Sequence, residues 1–246
     1  MAALVRYQIE LLIRSHRWLP PFLAYTLLMG IGISGDQAMM DSFGYNAAML
    51  VPVTAWFVRC ALTADPAPAR ACLVAALGSA RVQLASLVAA LTAGLLLAGG
   101  GVLVVLLVSG HTVNPPARQE APGTAAGLAG LAGGLADGRR PEVPASSAAL
   151  AGLLAAVACV LVGLAVGALC SRPVLLRAQY GILATLGLAV LVLVVGGSPA
   201  NSAVRALVGG ARLDRVDFPV AALLLAAALA VLVAAGTAVL AGRRTE

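Results

Sequence analysis

Six long apolar blocks, separated by short polar stretches, organise this chain. Charge-free stretches run Trp18–Gly35, Ser42–Val58, Val82–Gly110, Val143–Ser171, Ala178–Val204 and Phe218–Gly242. Each is long enough, or nearly so, to cross a hydrocarbon core about 30 Å thick at about 1.5 Å per helical residue. The pattern predicts an all-α polytopic membrane protein with six transmembrane helices. The expected spans are Trp18–Ser34, Ala47–Leu62, Val82–Ser109, Ala148–Cys170, Tyr180–Val195 and Pro219–Leu240. Residues 1–17 precede them as a separate element, and residues 18–246 form one six-helix membrane domain.

The pieces between the blocks have their own patterns. In Ala2–Arg17, Arg6, Glu10, Arg14 and Arg17 recur at helical spacing, with Val5, Ile9, Leu12 and Ile13 on another face. This predicts an amphipathic helix in the headgroup plane, with Glu10 pairing to an Arg one turn away. Trp18 suits the interface, and Pro20 and Pro21 suit a helix start. Gly35–Asn46 reads as a connection holding Asp36 and Asp41. Pro52 predicts a kink in the second span.

Thr63–Ala80 is expected to hold a short helix, Ala69–Ala80, bracketed by Arg70 and Arg81. Asp65 is the expected N-cap, with Pro66 at the first helical position. Gly99-Gly100-Gly101 in the third span either admits a close neighbour or breaks the helix. Gly110–Ser147 contains a Gly/Ala/Leu run, Gly123–Gly138, that reads as a short interfacial or re-entrant piece. Gly163-x-x-x-Gly167 has a close-packing spacing. Gly196–Phe218 is a polar break with a short helix expected at Pro199–Val208.

Charge orients the spans. The N-terminus, the second and fourth connections and the tail hold ten Arg; the other three connections hold six Arg with seven of the ten acids. The positive-inside rule predicts both termini in the cytoplasm. Composition agrees with membrane residence: 61% of residues are apolar and 11% charged. The net charge of +6 forms no basic face with interleaved aromatics, which argues against nucleic acid.

All 16 basic residues are Arg. Without Lys there is no Walker A loop and no Schiff-base chemistry. Cys60, Cys72, Cys159 and Cys170 lack CxxC spacing, and His16 and His111 fall on opposite membrane sides, so neither a metal site nor a cofactor is expected in this chain. No cleavable signal sequence is expected, because the first apolar block lacks a small-residue cleavage site. The expected spans bury no ionisable residue at mid-membrane, which disfavours ion-coupled transport, and no nucleophile–base pair suggests a hydrolase. Two classes remain: the membrane half of a machine driven by a partner, or a non-transporting immunity or assembly protein.

The order of parts carries a resemblance. An amphipathic helix precedes the first span, and a short helix lies between spans two and three, introduced by Asp65-Pro66 and followed by Gly78-Ser79-Ala80-Arg81. A tight basic turn, Ser171-Arg172-Pro173 to Arg177, joins spans four and five, and a broken segment precedes span six. This resembles the permease subunit of ABC-2-type transporters, of the small six-span actinobacterial kind. The resemblance implies an ATP-driven exporter in which two permease copies, or this chain and a paralogue, pair and dock on two ATPase subunits that hold ATP and Mg. It implies a coupling surface of Asp65, Arg70 and Arg81, supported by Arg6, Glu10 and Arg14, with Arg172 and Arg177 as a second contact. It also implies a path for a hydrophobic or amphipathic substrate near Tyr25, Thr26, Thr54, Trp56 and Thr185. Topology alone is an equally simple role for any single Arg, and helix packing for those path residues.

Overall fold

The computed structural model describes residues 1–33, 39–109, 145–170, 181–213 and 218–243. Among them every regular element is helical: α1 Ala2–Arg14, α2 Leu19–Gly32, α3 Met39–Leu62, α4 Ala67–Leu77, α5 Ser79–Ser109, α6 Ala145–Leu169, α7 Gly181–Val194, α8 Pro199–Leu213 and α9 Val220–Arg243. Four helices are long and apolar enough to cross a membrane: α3, α5, α6 and α9. Together α7 and α8 form a fifth such segment, bent by 50° at the break between them. α2 has 14 residues, about 21 Å of helix, and by itself falls short of a hydrocarbon core. The structure thus supplies four spans, or five with the bent pair, where the apolar blocks predict six.

Several expected boundaries move. The second span begins at Met39 rather than Ala47, so Asp41 and Asn46 belong to a helix and not to a connection. Asn46 is fully buried there. α3 continues through Pro52. α1 ends at Arg14, and His16, with φ +52°, separates it from α2. Arg17 therefore leaves the expected helical stripe. The short helix runs Ala67–Leu77 instead of Ala69–Ala80, and it ends at Gly78, whose φ of +85° favours glycine. Gly99–Gly101 lie inside an unbroken α5. The Gly110–Ser147 connection up to residue 144, the Ser171–Gln179 turn and residues 244–246 of the tail lie outside the described residues.

The core is built on α3, which packs most extensively on α6 and then on α5. Small residues make this possible. A Cβ built on Gly163 would stand 2.7 Å from the Val51 carbonyl oxygen, and one on Gly167 would stand 2.7 Å from that of Ala55. The two helices meet backbone to backbone, and van der Waals contact accumulates without a hydrophobic drive from lipid. On the same face of α6, Gly152 meets the Phe43 ring of α3, and Ala156 and Cys159 are fully buried. α8 closes the other end of α3: Ala200, Ala203 and Leu207 are fully buried one helical turn apart, while Arg205 on the same helix is exposed. Facing outward are Ile31 and Leu96, 74% and 78% exposed, with Leu183, Val194 and Leu232. An apolar exterior of this kind marks a protein solvated by lipid.

Candidate functional site

Two places combine polar chemistry with accessible surface. The first is the end of the bundle where α1, the α3–α4 link and the start of α5 meet. α1 buries Leu4, Gln8 and Leu12 at successive turns against α5 and α3. Leu4 joins Val82 and Ala85 in a small apolar cluster with Val5, Leu73 and Val74 at its edge. Ile13 is exposed and Ile9 half-buried on one flank, whereas Arg6, Glu10 and Arg14 are exposed on the other. The helix thus has three sectors: one for the protein, one apolar and one charged. Leu12, assigned by its spacing to the lipid-facing stripe, is in fact in the core.

Polar ties hold this junction. Gln8 Nε2 donates to Asp65 Oδ2 at 3.0 Å, joining α1 to the link before α4. The expected Asp65 cap is not made: α4 has Pro66 at its N-cap position and no side-chain capping bond, and Asp65 Oδ1 has no hydrogen-bond partner among the described residues. Arg70, in the first turn of α4, donates to the Leu62 carbonyl at 2.8 Å and to Gln83 Oε1 at 3.0 Å. One guanidinium therefore clamps the end of α3 to the start of α5, a use suited to its fork of donors. Arg17 Nη1 donates to the Thr63 carbonyl. Arg6 and Glu10 form an exposed i,i+4 pair at 3.0 Å. Arg14 and Arg81 are exposed. Arg172 and Arg177 lie outside the described residues.

The structure therefore gathers Asp65 and Arg70 with three residues that sequence reasoning missed, Gln8, Gln83 and Arg17. Gln8 carried a usable signal, because it interrupts the Leu4–Leu12 stripe at helical spacing. Above the clamp, α4 has no buried residue; Ala71, Cys72, Ala75, Ala76 and Leu77 are exposed.

The second place is a groove of about 470 Å³ between α2 and α5. Phe22, Met29, Leu97 and Val104 line it together with Tyr25 and Thr26. The Tyr25 hydroxyl donates to Asn46 Oδ1 at 2.6 Å. Of the residues expected along a substrate path, Tyr25 and Thr26 are brought together here. The other three are elsewhere. Thr54 is fully buried where α3 meets α6 and bonds the Leu50 carbonyl of its own helix. Trp56 is half-buried on α3, and Thr185 is buried on α7, hydrogen-bonded to the Cys170 side chain. Among the described residues no group of three His, Cys, Asp or Glu comes together as a metal-ligand set.

No family model matches the chain, and neither a curated protein nor a solved structure is detectably similar to it.

Proposed function

We propose that this chain is the permease subunit of an ATP-driven exporter of the ABC-2 kind. In this reading α2 and α7 complete a six-span domain in the bacterial plasma membrane, with both termini cytoplasmic. Two copies, or one copy and a paralogue, pair. Two separate ATPase subunits supply the energy from ATP and Mg, and this chain itself carries no cofactor. The substrate is hydrophobic or amphipathic.

The observation that supports the reading best is α4. It is a short surface helix without a buried residue, anchored by Arg70 to α3 and α5 and placed beside the Gln8–Asp65 tie to α1. A helix so held moves with the spans it is fastened to, and its open face is available to a motor. Asp65, Arg70 and Arg81 then serve the coupling element. Arg70 and Asp65 act as positioning residues, and Arg81, Arg6, Glu10 and Arg14 act from the exposed surface around it. Arg172 and Arg177 belong to the same proposal as a second contact.

The test is affinity purification from the native membrane. The reading expects a Walker A protein to co-purify and the complex to hydrolyse ATP. Replacing the exposed α4 residues Ala75 and Ala76 with Glu should release that protein while leaving the thermal stability of the permease unchanged. Undiminished ATPase association in this variant would overturn the coupling role of α4. Flux that follows an ion gradient, with no ATPase bound, would overturn the exporter.

A further inference from the structure

Six buried side-chain polar atoms have no hydrogen-bond partner among the described residues, and three of them belong to the junction of α1, the α3–α4 link and α5. They are Gln8 Oε1, Asp65 Oδ1 and Gln83 Nε2. Gln8 and Gln83 are 2% and 1% exposed. Each of the three side chains is already held by its other polar atom: Gln8 Nε2 donates to Asp65 Oδ2, and Gln83 Oε1 accepts from Arg70. These bonds set which way both amides point, so the unpaired atoms cannot exchange roles by a flip. Leaving such atoms dry is costly.

The two pairs lie on one small contact. Leu4, one turn before Gln8, packs with Val82, the residue before Gln83, and with Ala85. Arg70 ties Gln83 to the Leu62 carbonyl, three residues before Asp65. The junction thus offers two acceptors and one donor. That set narrows its ligand. A hydroxyl has one proton to give, and an ammonium has no lone pair to receive the Gln83 N–H. A metal cation would be repelled by that N–H. Water brings two O–H donors and a lone pair, and three bonds is the usual count for a buried water.

We propose that one water molecule is bound at this junction, donating to Gln8 Oε1 and Asp65 Oδ1 and accepting from Gln83 Nε2. It joins the tie between α1 and the link to the clamp between α4 and α5, so the two act as one network. The position of α1 is then felt at Arg70 through a polar bridge as well as through the packing of Leu4. The site stands independently of the exporter reading, because it requires neither nucleotide nor partner.

The experiment uses the purified full chain in detergent. A short X-ray pulse converts water to hydroxyl radicals where it stands, and mass spectrometry maps the oxidised side chains. Leu4 and Leu12, which flank Gln8 and are 8% and 5% exposed, should be oxidised several-fold more than Leu97 and Leu164, 9% and 7% exposed in the helix bundle. Gln8→Met and Gln83→Met should each remove the excess, since each deletes one partner of the water. A double-mutant cycle on the unfolding constant, followed by the exposure of buried Cys159 on heating, reads the bridge. The direct bonds to Asp65 and Arg70 cancel in the cycle. The effect of the double variant should fall roughly fivefold short of the product of the single effects, the factor of about one net hydrogen bond. Oxidation of Leu4 and Leu12 no greater than that of Leu97 and Leu164, or an excess untouched by either replacement, would overturn the water. Effects that simply multiply would overturn its bridging of the two pairs.

Discussion

Replacing Gly163 with Ala tests whether the α3–α6 seam holds the bundle together. The added Cβ would stand 2.7 Å from the Val51 carbonyl oxygen and press on Thr54 as well. Ordinary contact begins near 3.4 Å, so the backbones must separate by roughly 0.7 Å. A carbonyl in the middle of a 24-residue helix cannot step aside as a flexible side chain does. Such overpacking costs about 1–3 kcal/mol, and the backbone obstacle puts this case near the upper figure. Ala regains up to about 1 kcal/mol of helix propensity over Gly. The net loss is therefore about 2 kcal/mol, or about 4–8 °C in unfolding temperature for a domain of this size. The assay is native to the chain. Cys159 is fully buried on α6 one turn before Gly163, so its reaction with a thiol-activated fluorophore reports opening of the seam on heating in detergent. Gly100→Ala is the matched control, since a Cβ there meets nothing within 4 Å. If Gly163→Ala melts at the same temperature as Gly100→Ala, the close approach of α3 and α6 is not a source of stability and the packing argument fails.

Two further predictions concern the junction at α4. Arg70→Ala removes both clamp bonds and leaves the side chain of Gln83, 1% exposed, without its donor; the expected loss is about 2 kcal/mol, read by the same thiol melt, while Arg81→Ala on the exposed surface should change stability by less than about 0.5 kcal/mol. Cys72 is exposed on α4 whereas Cys159 is buried, so a membrane-impermeant maleimide should modify Cys72 in inverted vesicles and leave it unmodified in intact cells stripped of their wall; the opposite pattern would reverse the orientation inferred from the arginines.

The apolar blocks made the helices legible because burial in lipid demands long unbroken apolar runs and internal backbone bonding. α5, α6 and α9 follow their blocks to within about three residues at either end. α3 does not, and the reason is local. Asp41, Ser42 and Asn46 look like a connection by polarity, yet Ser42 and Asn46 are fully buried in the bundle, so polarity placed the boundary eight residues late. At the junction, Asp65-Pro66 was readable as the start of a helix, but a one-residue pattern could not reveal that the cap falls on Pro66 and that Gln8, 57 positions earlier, bonds the Asp65 carboxylate.

Composition, span pattern and Arg placement belong to the sequence alone, because each is a sum over residues that needs no knowledge of neighbours. They determined a helical membrane protein, an Arg-rich side bearing a short helix, and a chain with no Lys for nucleotide chemistry. The tertiary structure decided which polar residues meet. It put Gln8 on Asp65, Arg70 across Leu62 and Gln83, and Tyr25 on Asn46, and it kept Thr54 and Thr185 out of the groove. These are pairings between separate segments, one of which, Tyr25 with Asn46, has its room made by Gly101, and helical periodicity records only which face a residue shares.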